Sequence, residues 1–198
     1  MKKVGVISLQ GAISEHKEIL NKSFEKLGLK GDVILIRKKE DLERVYGVII
    51  PGGESTTISR LIKKFDLHEL LVKRAEEEDM PVMGTCAGLI LLARYGDESV
   101  ISKGVEPLGI LDIKVQRNAF GRQKESFQIP LKIKGLDKPF LGVFIRAPLI
   151  EKAYGRCEIY STLKDGTIVM VREKNRLGLS FHPELTEDTR LHEMFLMM

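Results

Sequence analysis

Apolar positions follow two different rhythms along this chain of 198 residues. In the first half they fall in short unbroken runs at 4–9, 33–36, 47–51 and 81–85, bounded by glycine, proline or polar turns. Runs of that kind suit strands buried on both faces, which lose the alternation of a half-exposed sheet. Between the runs, apolar residues recur every three or four positions. Ile19, Leu20, Phe24 and Leu27 precede a stop at Gly28, and Ile58, Leu61 and Ile62 follow the third run. That spacing predicts helices, with a further short helical turn at 41–45. Strands alternating with helices predict a parallel sheet covered on both faces by right-handed crossovers. Past Ala93 the rhythm changes. Segments 110–115 and 127–133 alternate apolar with polar, as antiparallel strands with one wet face do. Segments 141–148, 157–162, 168–172 and 177–181 continue a β-rich half. Residues 186–198 close as a helix with Leu191, Met194, Phe195 and Met198 on one face. The expected fold is α/β, with a mainly parallel central sheet flanked by helices in three layers and an antiparallel β-rich C-terminal half. No linker, repeat or low-complexity stretch divides it, so one domain spanning 1–198 is expected.

Composition narrows the function classes. Hydrophobic residues make up 43% and charged residues 30%, the balance of a water-soluble globular chain with a sizeable core. No apolar run reaches membrane-spanning length, and Met1-Lys2-Lys3 leads straight into a strand. A cytoplasmic protein without a signal peptide or membrane association is expected. The net charge of +4 is spread over interleaved Lys, Arg, Glu and Asp with no basic, aromatic-studded stripe, so nucleic-acid binding is not expected. Two cysteines, Cys86 and Cys157, are too few for a disulfide framework, and no Cys/His cluster has metal-ligand spacing.

The chemistry concentrates on three loops that such a sheet places outside the carboxyl ends of its strands. In Gly84-Thr85-Cys86-Ala87-Gly88, glycines two before and two after a cysteine give the form of a nucleophile elbow. An elbow holds its nucleophile in a strained conformation and tolerates only tiny neighbours. A buried structural cysteine in a glycine-punctuated turn fits the same five residues. Pro51-Gly52-Gly53-Glu54-Ser55-Thr56 offers exposed amides beside a strand end, or an ordinary turn with Ser55 or Thr56 capping the next helix. It lacks the lysine of a phosphate-binding P-loop. Gln10-Gly11 belongs on the same rim.

A cysteine nucleophile needs a base, and the chain has four histidines. His16, His68 and His192 lie in Lys/Glu-rich helical stretches and read as surface residues. His182 ends a strand and precedes Pro183, which bars the helical conformation at 182. In an extended chain Glu184 would share a side with His182 and orient the imidazole toward Cys86, giving a Cys-His-Glu triad.

With those residues in place, the chain resembles the class I, triad-type glutamine amidotransferases. The Gly52-Gly53-Glu54-Ser55 loop, the segment Arg117-Asn118-Ala119-Phe120-Gly121-Arg122-Gln123 and Ile145-Arg146-Ala147-Pro148 are most similar to the glutaminase subunits of pyridoxal 5′-phosphate synthase. The resemblance implies a flavodoxin-like sheet and hydrolysis of L-glutamine to L-glutamate and ammonia. It implies Cys86 as nucleophile, with His182 and Glu184 as its relay. It further implies glutamine contacts at Gly52, Gly53, Glu54, Arg117, Ile145 and Arg146, and an oxyanion hole from the Gly53 and Ala87 amides. Gln10 is expected to touch the partner and gate that hole. The implied partner is a synthase subunit, PdxS, in a large hetero-oligomer, and no cofactor or metal is implied. A glutaminase of another synthase, such as that of imidazole glycerol phosphate synthase, and a non-catalytic glutamine-sensing or assembly module remain as alternatives.

Overall fold

The computed structural model describes residues 1–117 and 126–198. Most of the Arg117–Gln123 segment on which the resemblance partly rests, from 118 onward, lies outside the described residues. The short apolar runs are strands β1 (Lys2–Ile7), β2 (Gly31–Ile36), β3 (Gly47–Ile50) and β4 (Val82–Thr85). Between them lie helices α1 (Ile13–Lys26), α2 (Lys39–Glu43), α3 (Ser55–Lys64) and α4 (His68–Glu77). The elbow leads into α5 (Ala87–Leu92). Then come β5 (Ala93–Gly96), α6 (Glu98–Ser102), β6 (Leu111–Gln116), β7 (Ser126–Leu131), β8 (Phe140–Ile145) and β9 (Leu149–Ala153). The chain finishes with β10 (Glu158–Thr162), β11 (Ile168–Glu173), β12 (Arg176–Leu179), a 3₁₀ turn at Pro183–Leu185 and α7 (Arg190–Leu196).

The large sheet runs β2-β1-β3-β4-β12-β11-β9-β6-β5, with β10 paired to β11. Its first five strands are mutually parallel, while β11 is antiparallel to both β12 and β9. Strands β7 and β8 form a separate antiparallel pair. The expected parallel half and antiparallel continuation are therefore both present. Side-chain alternation along the parallel strands feeds two apolar layers. Val48, Ile50 and Val82 pack with α3 and α5 on one face; Val4, Val6, Ile49 and Met83 pack with α1 and α7 on the other. Among the described residues no helix is long and apolar enough to cross a membrane.

Three local departures from the sequence pattern have physical causes. The strand expected over 141–148 ends at Ile145, because Arg146 takes a left-handed backbone (φ 43°) that turns the chain out of β8 before Pro148, and β9 begins only at Leu149. The elbow helix stops at Leu92, and Ala93 starts a strand parallel to β6. The final helix begins at Arg190 rather than 186, because Thr186 Oγ1 accepts from the Asp188 amide and Asp188 Oδ1 from the Arg190 amide, local turns that compete with helix.

Packing around the elbow is closed to any side chain. A Cβ on Gly84 would stand 2.6 Å from the Gly88 carbonyl oxygen, and a Cβ on Gly88 would collide with that of Ile50. Backbone oxygens cannot swing aside as a side-chain tip can. Gly88→Ala is expected to cost about 1–3 kcal/mol in chemical denaturation; an unchanged midpoint would contradict this packing.

Candidate active site

Two neighbouring parallel strands set the site. Strand β12 pairs with β4 in the register Leu177↔Met83 and Leu179↔Thr85, and the Cys86 amide donates to the Leu179 carbonyl at 2.8 Å. Both strands end on the same rim, so Cys86 leaves one and His182 follows the other. Cys86 adopts φ 50°, ψ −105°, the strained turn expected of an elbow. Such a conformation costs roughly 1–3 kcal/mol and persists only where packing imposes it. The imidazole of His182 and the Cys86 side chain line the same cavity and both crowd Gly52, and His182 Nδ1 lies 2.7 Å from Glu184 Oε1. Its own amide donates to the Val143 carbonyl at 2.8 Å, which draws the end of β8 across the rim. The Cys86 thiol reaches the Ile145 carbonyl at 3.8 Å. His182 and Glu184 meet, but not by extended alternation. His182 itself is non-helical (φ −106°, ψ 87°), and the 3₁₀ turn after it folds the carboxylate back.

Electrostatics follow the geometry. Burial opposes a charge on His182, but hydrogen bonds to Cys86 and Glu184, and then the charges of both, outweigh it and raise its pKa to about 10. Burial likewise opposes ionisation of Glu184, yet His16 and His182 beside it hold its carboxyl below the ordinary value. Cys157, the other thiol, is pushed the opposite way. Burial first, and then Glu173, Asp112 and Glu158, raise it to about 12.

A cavity of about 380 Å³ opens over Cys86. Gln10, Gly53, Glu54, Ala87, Arg117, Ile145, Arg146 and His182 all line it, so the structure brings together nearly every residue singled out from the sequence. Gly52 lies beneath them. A Cβ there would run into the imidazole of His182 and sit 3.3 Å from Cys86 Cβ. Its amide donates to Thr85 Oγ1 (3.1 Å), and its carbonyl accepts from Ala12 N–H (3.0 Å). In a planar trans peptide, that carbonyl direction turns the Gly53 N–H the opposite way. Gln10 reaches the same loop, with Oε1 accepting from the Glu54 amide at 2.7 Å.

Two charged residues of the cavity, Glu54 and Arg117, pair with each other. Glu54 Oε1 meets Arg117 Nη2 at 3.1 Å, while Oε2 accepts from the Thr56 and Thr57 amides. The cap of α3 is therefore Glu54, not Ser55 or Thr56. A carboxylate one residue ahead satisfies two orphan amides at once. The sequence also missed Ser55, Ile90 and Pro148 as lining residues. Two histidines read as surface residues are fully buried. His16 faces inward from α1 and His192 from α7. The signal was available, since His16 is in phase with Ile19, Leu20, Ser23 and Phe24, all buried. The flanking Lys and Glu residues belong to the opposite face of α1.

With this geometry in view, the chain was compared with known proteins. Residues 6–198 match the model of the SNO glutamine amidotransferase family. A protein named pyridoxal 5′-phosphate synthase subunit PdxT in Archaeoglobus fulgidus is 50% identical, over 98% of this chain and 96% of its own length. Its namesake in Pyrococcus furiosus is also 50% identical, over 99% and 98%, and that of a Dehalococcoides mccartyi strain 51%, over 99% and 96%. A crystal structure of a glutamine amidotransferase superposes with a TM-score of 0.86 at 44% identity, covering 98% of this chain and 97% of its own. A putative GMP synthase subunit from Thermoplasma acidophilum shares the fold at a TM-score of 0.61 and 14% identity. A family model spanning all but the first five residues, on a fold with a strained cysteine facing a histidine–glutamate pair, places this chain in the SNO glutamine amidotransferase family.

Proposed function

We propose that this chain is the glutaminase subunit of a pyridoxal 5′-phosphate synthase. It hydrolyses L-glutamine to L-glutamate and ammonia and hands the ammonia to a PdxS synthase subunit. The observation that carries this reading is the convergence of Cys86, His182 and Glu184 at one rim, in a chain half identical to proteins named PdxT. Neither the glutaminase of imidazole glycerol phosphate synthase nor a non-catalytic module is favoured by relatives of that name.

In this mechanism His182 takes the Cys86 proton, and the sulfur attacks the glutamine carboxamide. The tetrahedral oxyanion is held by the amides of Gly53 and Ala87, which share the cavity with the sulfur. The imidazolium then protonates departing ammonia, leaving a γ-glutamyl thioester on Cys86. His182 activates a water molecule, which cleaves the thioester and releases glutamate. Glu184 keeps the imidazole oriented throughout. Glutamine is held by Gly52, Gly53, Glu54, Arg117, Ile145 and Arg146. Its ammonium and carboxylate replace the Glu54–Arg117 ion pair with two new ones, carboxylate to substrate ammonium and guanidinium to substrate carboxylate.

Ammonia set free in water is mostly protonated and no longer nucleophilic, so the product must pass directly to the synthase. The proposal extends to one glutaminase domain over 1–198, working in a large cytoplasmic hetero-oligomer with PdxS. Gln10 bonds the Glu54 amide, next to the Gly53 amide proposed for the oxyanion. Contact of the synthase with this loop therefore completes the oxyanion hole, so that glutamine turnover stays restrained until the complex forms.

Ammonia release measured with and without the synthase tests this reading. Turnover rises strongly on complex formation, and Cys86→Ala lowers it by roughly 10⁴-fold or more. Equal turnover in both states, or activity retained by Cys86→Ala, contradicts it. A second expectation concerns pH. Glu184 helps raise the His182 pKa, so Glu184→Gln removes that support and the imidazolium is lost at lower pH. The alkaline limb of the rate profile shifts downward, and kcat falls about 10²–10⁴-fold. An unshifted limb contradicts the assigned role of Glu184.

A further inference from the structure

Behind the site lies a buried polar cluster that the mechanism above does not use. His16 Nδ1 is 3.1 Å from His192 Nε2, and His16 Nε2 is 3.1 Å from Thr85 Oγ1 and 3.5 Å from Glu184 Oε2. All four side chains are buried, and both histidines are wholly so. Thr85 Oγ1 also accepts the Gly52 amide. One imidazole thus touches the carboxylate that orients His182 and, through one hydroxyl, the loop that carries Gly53.

The proton positions follow from what each atom can accept. A carboxylate only accepts, and Glu184 Oε2, with His16 Nε2 3.5 Å away, has no hydrogen-bond partner among the described residues. A bare nitrogen lone pair facing it would be repelled. The proton of neutral His16 therefore sits on Nε2, donated to Thr85 Oγ1 and close to the Glu184 carboxylate. Nδ1 then accepts from His192 Nε2–H, leaving His192 Nδ1 as an unpartnered acceptor. The reverse arrangement would bury an unpaired N–H on His192 and turn a lone pair toward the carboxylate. Burial keeps both rings uncharged. It lowers the pKa of His16, and with His16 nearby lowers that of His192 to about 3.

We propose that His16, locked as its Nε2–H tautomer by His192, is a positioning residue that steadies the Glu184 carboxylate by electrostatic attraction at 3.5 Å and the Gly52–Gly53 loop by hydrogen bonds through Thr85. The proposal rests on the triad reading given above and adds to it the group that orients the carboxylate. His16 is faced by Glu184, His182 and His192, with Glu15 nearby on its own helix; Glu184 is faced by His16 and His182, and His182 in turn by Cys86. Loss of the Nε2–H donor therefore raises the Glu184 pKa and weakens the support for the His182 imidazolium. The pH–rate profile narrows from both sides.

Two measurements test this. In ¹⁵N NMR of the intact wild-type chain between pH 6 and 9, with His16→Gln used for assignment, the His16 resonances should report a neutral ring protonated at Nε2. A ring protonated at Nδ1, or a charged ring, overturns the proposal without any variant having to fold. In the complex with the synthase, His16→Leu should lower kcat at least 10-fold, leave KM for glutamine within about 3-fold and narrow the profile. His16→Gln, whose amide N–H can stand near the place of Nε2, should restore most of both kcat and the profile. A His16→Leu profile matching wild type, or a His16→Gln profile as narrow as that of His16→Leu, overturns it. Failure of the underlying reading looks different. Full activity in Cys86→Ala would remove the triad itself, whatever the His16 tautomer.

Discussion

The pairing of β12 against β4 is the constraint on which the site depends. These strands are about a hundred residues apart in the chain but lie side by side and parallel, with Leu179 opposite Thr85. Parallel pairing puts their carboxyl ends on one rim, and the register puts the residues that follow within reach of each other. A slip of one residue would turn every side chain of β12 to the other face. Burial of both strands between two apolar layers makes that slip costly. Catalytic geometry here is a consequence of sheet register.

On that frame the elbow adds strain and the glycines make room for it. Cys86 keeps a left-handed backbone because the amide on one side is tied to Leu179 and α5 is packed on the other. Gly52, Gly84 and Gly88 sit where imidazole or carbonyl oxygens leave no space for a Cβ. The same closeness lets one small loop serve several purposes. Gly52 backs the imidazole, ties to Thr85 through its amide and to Ala12 through its carbonyl, and so sets the direction of the Gly53 N–H.

The parallel half was legible because unbroken apolar runs separated by helical spacing leave few alternatives. Cys86 and His182 were legible because glycine and proline constrain the backbone by themselves. Less visible were features decided by tertiary contacts. Nothing local marks the left-handed Arg146 that ends β8 at Ile145 and turns the chain toward the large sheet. The cap of α3 was expected at Ser55 or Thr56, whereas Glu54, one residue before the helix, is the cap and a partner of Arg117. His16 and His192 were misplaced because charged neighbours in sequence were weighed above the helical phase that turns these two rings inward. The pairing of His182 with Glu184 was correct for a partly wrong reason, since a 3₁₀ turn rather than an extended strand brings them together.

The two thiols offer a direct contrast. Cys86 faces the cavity beside an imidazole, while Cys157 lies among Asp112, Glu158 and Glu173 with its pKa pushed up to about 12. The most direct measurement is peptide mass spectrometry of the chain, in complex with its synthase, after exposure to a diazoketone analogue of glutamine that alkylates a nucleophile in a glutamine pocket. One adduct on Cys86, suppressed by excess L-glutamine and lost in His182→Ala, is the result predicted. An adduct on Cys157, or labelling of Cys86 indifferent to L-glutamine, would contradict the account.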